Sequence, residues 1–440
     1  MHLKIKYIIA SLLIWTVPLQ VLADHDTVVS PDGEESDIRI NPQVDYTSAP
    51  EPEERIEIPR FINRNANHIR MNRADWGGLS ENLAHADSSR VSIVHVGDSH
   101  LQADMATAVA RRRLQSDYGD AGRGLVAPLK MAATNEPRDY AFKGVDGVWV
   151  SSKLMKRPWT VKMGFTGVST VPMSGKGTLE VSTLSRTGNP QTFDIVRMFH
   201  SAQPEVAAAV PYAVSGVRND SLVSVITLPE PLSTIGLDVS LPSDEAIYGM
   251  SLERSRPGGL LYHVVGNNGA TYTSYNGIDG FASGVALLNP DLIILSLGAN
   301  EAFSRMTSDE MYSSIGVMVD RLRKECPDAG ILLTTPMECL RSTVTRRRKG
   351  RRRRVRSYAV NPRVSAMRDV ILRYGRDHGI ATYDFYEVAG GAGASAKWIS
   401  AGMMARDRIH NSAKGYGVQG ELLYEALKDA FSNHDLSDKK

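Results

Sequence analysis

The sequence predicts an α/β fold: a doubly wound parallel sheet interrupted by an inserted all-β sandwich. Three observations carry this expectation. Apolar runs of strand length alternate with stretches of helical period towards both ends of the chain, the arrangement of a parallel sheet with helices on both faces. Between Glu136 and Ala246 that periodicity gives way to short stretches rich in Val, Thr, Ser and Tyr, punctuated by Gly, Pro, Asn and Asp, which suggests a sandwich. Two of the apolar runs also lead directly into turns bearing Ser, Asn and Gly, and in an open parallel sheet such turns converge on one rim, where ligands bind.

At the amino terminus, Lys4 and Lys6 precede an apolar stretch from Tyr7 to Val17, followed by Val21-Leu22-Ala23. This is the pattern of a secretory signal peptide cleaved near Ala23. The apolar run is well short of the ~20 residues a membrane span needs. No Cys adjoins the cleavage point, so a lipoprotein is not expected. Residues 24–58 are acidic and proline-containing with little apolar material, and read as a disordered linker. Phe61 to Ala86 reads as mostly helical. Strand Val91–Val96, the Gly97-Asp98-Ser99 turn and helix Asp104–Tyr118, ended by Gly119, form a strand–turn–helix unit.

Within the β region the expected strands are Gly147–Ser151, Thr160–Phe165, Gly177–Leu184, Thr192–Met198, Ser221–Thr227 and Thr234–Leu241. The α/β pattern resumes at Leu260–Val265 and continues through strand Leu292–Leu297, helix Ser308–Cys326 and strand Ile331–Thr335. Helix Asn361–His378, strand Ile380–Tyr383 and helix Ala413–Phe431 complete it. The division is therefore signal peptide 1–23, acidic linker 24–58, an α/β domain in two parts (59–135 and 247–440) and the inserted sandwich 136–246. Two cysteines, Cys326 and Cys339, flank one expected strand. At ~3.3 Å per residue their separation exceeds the ~7 Å reach of a disulfide, so two free thiols are expected.

Four short segments carry the chemistry: Gly97-Asp98-Ser99-His100, Asn268-Gly269-Ala270, Gly298-Ala299-Asn300-Glu301 and Asp407-Arg408-Ile409-His410. A serine hydroxyl is inert at its free pKa and needs a base with an orienting group behind it. His410 and Asp407, three residues apart, project to the same side and can supply both. The Asn300 side-chain amide, the unobstructed backbone N–H of Gly269 and the Ser99 N–H can donate to the oxyanion of a tetrahedral intermediate. No cluster has metal-ligand spacing and no glycine-rich loop has the phosphate fingerprint, so neither metal nor other cofactor is expected.

These segments resemble blocks I, II, III and V of the SGNH (GDSL-like) hydrolases. The resemblance implies a three-layer fold of that type, with Ser99 as nucleophile, Gly269 and Asn300 as oxyanion donors, His410 as base and Asp407 as its orienter. Two positions depart from the usual pattern, His100 where Leu is usual and Glu301 where Asp is common. Gly97-Asp98-Ser99-His100-Leu101-Gln102-Ala103-Asp104, Gly119-Asp120-Ala121-Gly122-Arg123-Gly124 and Gly415-Tyr416-Gly417-Val418-Gln419-Gly420 are further similar to the exported branch that includes the Ape-type peptidoglycan O-acetylesterases. That branch carries an inserted β-sandwich resembling a carbohydrate-binding module. The resemblance implies an exported, periplasmic or envelope-located esterase acting on acetylated polysaccharide, peptidoglycan first. An esterase of another glycan, an O-acetyltransferase and a non-catalytic glycan-binding protein are the alternatives.

The stretch Arg346 to Arg356 carries nine positive charges in eleven residues and reads as a solvated, self-repelling loop. Its functional reading is contact with a polyanion. Nucleic acid is not expected, given the export signal and the absence of interleaved aromatics.

Overall fold

The computed structural model describes residues 56–185, 190–209, 216–219, 222–347 and 353–434, and the short pairs 28–29 and 35–36. The expected signal peptide, 1–23, and most of the expected linker, 24–58, lie outside the described residues. The chain divides into two units, Met1–Asn41 and Pro42–Lys440. In the first, Val28–Val29 pairs antiparallel with Glu35–Ser36. All that follows concerns the second.

Its sheet contains β1 (Ile69–Arg70), β2 (Arg90–Gly97), β3 (Gly259–Gly266), β4 (Leu292–Ser296), β5 (Gly330–Thr334) and β6 (Ala381–Tyr383), in the order β3-β2-β4-β5-β6-β1. All neighbours are parallel except the edge pair β6 and β1. Seven of the eight β2 residues are buried, as a strand covered on both faces requires. Helices α1 (Gly77–Ala84), α2 (Met105–Tyr118), α3 (Ser308–Glu325), α4 (Arg363–His378) and α5 (Ala413–His434) pack around it. The register aligns Gly266 of β3, Gly97 of β2 and Ser296 of β4 across the sheet. Three of the four candidate segments therefore leave the sheet side by side.

The antiparallel strands form two sheets. One runs Gly216–Asn219, Val223–Leu232, Phe193–His200, Ile247–Glu253, Val168–Pro172, Trp149–Lys153, with Gly124–Val126 added beside Ile247–Glu253. The other runs Glu205–Ala208, Thr234–Ser240, Lys176–Thr183, Tyr140–Asp146. Both contribute to one apolar core, Leu179, Val181, Ile235 and Leu237 from the second sheet and Val196, Met198, Ile226 and Met250 from the first. Two antiparallel sheets closing on a shared core are a sandwich. A buried network ties this region to the α/β part. Asp104, at the start of α2, pairs with Arg111 and Arg123, and both arginines reach Asp139.

Three local expectations are corrected. Phe61–Ala86 is not mainly helical. Asn72 and Arg73 adopt left-handed φ (51° and 72°), which breaks any helix there, and Ile69–Arg70 is instead the antiparallel edge of the sheet. Thr160–Phe165 is not a strand, because its backbone donors are taken by side chains. Ser152 Oγ accepts from Thr160 N and Val161 N, and Ser169 Oγ accepts from Gly164 N. The basic stretch is not simply a loop. Its flanks are two strands, Leu340–Arg347 and Arg353–Val360, in antiparallel register.

Cys326 and Cys339 are both free and buried. Burial first, then neighbouring acids, push their thiols up to about 11 and about 12, so both stay protonated and unreactive. No helix of the described residues is long and apolar enough to cross a membrane.

Candidate active site

The Ser99 turn is built by close approach. After β2 the chain turns at Asp98 into a single helical turn, Ser99–Gln102, capped by Asp98 Oδ1, which accepts from His100 N at 2.9 Å. That turn rests on the end of β3, where a Cβ on Gly266 would sit 2.5 Å from Gln102 N. Only glycine lets the two segments touch.

Asp407, Arg408, Ile409 and His410 make a tight turn in which Arg408 takes a left-handed φ of 65°. Asp407 Oδ1 accepts from Ile409 N at 2.9 Å and His410 N at 3.0 Å, which fixes the carboxylate. Its Oδ2 lies 2.7 Å from His410 Nδ1, and His410 Nε2 lies 2.8 Å from Ser99 Oγ. With Nδ1–H donating to Asp407, Nε2 presents its lone pair to the serine hydroxyl. Burial alone would raise the Asp407 carboxyl, but the His410 hydrogen bond and charge and the two backbone donors hold it at about 2. Burial lowers His410, and the hydrogen bond and charge of Asp407, helped by Asp98, overcome this and set it above the ordinary histidine value.

Asn300 sits where β4 ends. Its Nδ2 donates to Ala270 O at 3.0 Å and to Asp98 Oδ2 at 3.3 Å, so it joins the Gly269 turn to the Ser99 turn. Gly269 has φ +75°, a conformation L side chains rarely adopt. Asp98 is buried, and desolvation pushes its carboxyl up to about 6 against the His100 N hydrogen bond and the charge of His410.

All five candidate residues named from the sequence thus lie on the three adjoining strand ends and the Asp407–His410 turn that meets them. The sequence reading did not identify the groups that hold them. Gln102 Oε1 accepts from Asn268 N at 2.6 Å, while Gln102 Nε2 donates to Thr134 and Asn135. Asn267 Nδ2 donates to Thr166 O at 2.9 Å, so a loop of the antiparallel region props the Gly269 turn. Glu301, 0% exposed, accepts from Gly298 N with one oxygen and Tyr272 N with the other, both at 2.9 Å. This departure from the usual pattern clamps the Asn300 and Gly269 segments together. Burial, partly offset by those donors, pushes its carboxyl up to about 7. His100, the other departure, has its ring centre 5.0 Å from that of His410 and its Nδ1 3.1 Å from Tyr416 OH. Burial, then the charge of His410, pushes it down to about 3, so it stays neutral.

Asn267 and Asn268 carry a signal as amide residues between the glycines Gly266 and Gly269, whereas Gln102 has none, and the partners named here lie 32 to 166 residues away along the chain. Among the described residues no cluster of three or more His, Cys, Asp or Glu could hold a metal ion.

Residues 242–418 match the model of the GDSL-like lipase/acylhydrolase family. No curated protein matches the chain. A solved peptidoglycan O-acetylesterase aligns over 85% of this chain and 98% of its own, with a TM-score of 0.65 and 23% identity. A lipase/acylhydrolase from Enterococcus faecalis covers 39% of this chain and 77% of its own, at 19% identity and a TM-score of 0.28. An acetyl xylan esterase covers 38% and 81%, at 15% identity and a TM-score of 0.30. The fold is of the SGNH type.

Proposed function

We propose, from the premise that residues 242–418 carry the GDSL-like lipase/acylhydrolase pattern on an SGNH-type fold, that this protein is an exported serine esterase removing O-acetyl groups from peptidoglycan. The observation that carries the reading is the unbroken chain of hydrogen bonds from Asp407 through His410 to Ser99, at 2.7 and 2.8 Å. The alignment over 98% of a neighbour whose name gives peptidoglycan as its substrate supports the choice of glycan.

In this mechanism Ser99 Oγ attacks the acetyl carbonyl while His410 Nε2 takes its proton, and Asp407 stabilises the imidazolium. The Gly269 and Ser99 backbone N–H groups and Asn300 Nδ2 receive the oxyanion. Asn300 gives up its longer bond, the one to Asp98, to do so. His410 returns the proton to the departing sugar oxygen, leaving an acetyl ester on Ser99. Water, activated by His410, then releases acetate. A developing oxyanion in such a site is worth about 10²–10³ in rate per donor. The sandwich, 136–246 in the sequence division, is assigned the role of holding the polymer near Ser99.

Acetate release from O-acetylated peptidoglycan and from O-acetylated xylan, with Ser99→Ala alongside, tests the reading. Peptidoglycan turnover that exceeds xylan turnover and disappears in Ser99→Ala is expected. Preference for xylan would redirect the substrate, and acetyl transfer to an added sugar in place of release would make the protein a transferase.

A further inference from the structure

We propose that His100 is a positioning residue for the second half of the reaction: its ring keeps the His410 base in line while Ser99 carries the acetyl group. The proposal rests on the esterase reading and assigns one more residue to that same site. The His410 imidazole is fixed by two hydrogen bonds, Nδ1 to Asp407 Oδ2 at 2.7 Å and Nε2 to Ser99 Oγ at 2.8 Å. Both act at the edge of the ring, and a hydrogen bond tolerates about 30° of misalignment. Tilting of a ring held in this way is limited by what packs on its face.

Acetylation of Ser99 removes one of the two bonds, because an ester oxygen has no proton to donate. His410 then keeps only Asp407, yet it must still aim Nε2 at water. In that step the water oxygen bonds to the acetyl carbon while one of its protons passes to Nε2. The bond from the acetyl carbon to Ser99 Oγ then breaks, Oγ takes the proton back, and acetic acid departs.

His100 supplies the restraint that this step lacks. Its ring centre lies 5.0 Å from that of His410 with 35° between the planes, closer to stacked than to edge-on. The ring is itself tied. His100 Nδ1 lies 3.1 Å from Tyr416 OH, and the two rings meet at 69° with centres 6.0 Å apart. Tyr416 is buried with Met105, Ala106 and Ala413, so the anchor is set in the packing of α2 against α5. At the other end, the His100 backbone N–H is capped by Asp98 directly after Ser99. One residue thus joins the Ser99 turn, the base and two helices. Burial and the charge of His410 keep His100 neutral, so it meets the imidazolium of each half-reaction without repelling it. A leucine at position 100 would cover the same face but offers the Tyr416 hydroxyl no atom to bond.

The test compares the full chain with His100→Leu, Tyr416→Phe and the double variant on an aryl acetate. Rapid quenching at intervals after mixing, followed by peptide mass spectrometry, reads how fast acetyl arrives on Ser99 and how fast it leaves. In His100→Leu, departure should slow by about tenfold, part of the ~10²-fold that a 1 Å misplacement costs. Arrival should stay within about threefold of the parent, because the Ser99 hydrogen bond still aligns His410 in that step. Tyr416→Phe keeps the His100 ring and cuts its tie, so departure should slow in the same direction by less. Adding it to His100→Leu should cost nothing further, since both act through one contact. Circular dichroism checks folding, and Tyr416→Phe, which removes a single oxygen, carries the test if His100→Leu does not fold. Equal slowing of arrival and departure would make His100 a general support of the site and overturn the proposal. Departure at the parental rate in either variant, or multiplicative losses in the double variant, would overturn it too. Absence of acetyl from Ser99 in the parent would strike the esterase reading, whereas acetyl that forms in the parent and leaves the variants unslowed strikes only the role of His100.

Discussion

Replacing Asp407 with Asn tests the relay at its least obvious member. Asp407 uses one oxygen for two backbone donors, Ile409 N and His410 N, and the other for His410 Nδ1. An asparagine has a single carbonyl oxygen, which must serve one side or the other. Facing the backbone it keeps two bonds at about 1 kcal/mol each; turned round, it leaves two N–H groups facing an NH2. The oxygen therefore stays on the backbone and the amide NH2 faces Nδ1. His410 is forced into the tautomer with its proton on Nε2, where it cannot accept from Ser99 Oγ. The turn keeps its shape while kcat/KM falls by about 10⁴, or about 5 kcal/mol of transition-state stabilisation. The pH profile supplies a second reading. His410 acts only when neutral, so the wild-type rate climbs with pH through a His410 pKa set above the ordinary value by Asp407. The variant loses that bond and charge but keeps the burial that lowers the pKa, so its residual activity should rise at lower pH than wild type. Hydrolysis of an aryl acetate across pH 5 to 9, with circular dichroism as the folding control, measures both. A loss under about tenfold in a folded protein would refute the assignment of Asp407.

Three other perturbations follow from the same geometry. Ser99→Ala and His410→Ala should each abolish aryl acetate turnover, and the double variant should be no worse than either single one, because the triad acts as a unit. Multiplicative losses would show that the two residues act separately. Glu301→Gln should leave one of the two buried N–H groups, Gly298 or Tyr272, without an acceptor, costing about 1–3 kcal/mol of stability and lowering kcat more than it raises KM; an unchanged melting temperature would contradict the clamp. In the sandwich, Trp149 is half-buried over Gly144 and Gly177, with its Nε1 donating to Asp146 O at 2.8 Å, whereas the Trp159 ring packs on the main core beneath the Arg157 guanidinium, 4.1 Å away. Trp159→Ala should therefore lower the melting temperature and both activities together, while Trp149→Ala should weaken action on insoluble glycan more than on a small ester; equal losses on both substrates would remove Trp149 from polymer binding.

What could be read from the sequence was whatever a short stretch encodes by itself. The runs Val91–Val96 and Leu292–Leu297 announce buried parallel strands, and a Ser or an Asn just beyond such a run can only lie at a sheet rim. Asp407 and His410 are close enough in sequence to face each other in any turn. What stayed hidden depends on partners far along the chain. In sequence Glu301 is only a departure from the usual Asp, and its role comes from Tyr272 N and Gly298 N converging on it; Gln102 likewise takes its role from Asn268, 166 residues later. Thr160–Phe165 has strand-like composition, yet the hydroxyls of Ser152 and Ser169 take its donors. The strands that flank the basic stretch were concealed differently. The charge density of that stretch argues for a loop, although Thr343, Thr345, Val355, Ser357 and Ala359 fall at the period of a strand, and the backbone pairs over eight positions.

The claim on which everything else stands is that the acetyl group passes through Ser99. Rapid quenching during turnover of an aryl acetate, followed by peptide mass spectrometry, reads it directly. The account predicts one acetyl group, carried by the peptide that contains Ser99, present in the parent and absent from Ser99→Ala. His410→Ala should fail to accumulate it, because the hydroxyl is never activated. An acetyl group on any other residue during productive turnover, or undiminished acetate release from folded Ser99→Ala, would contradict the account.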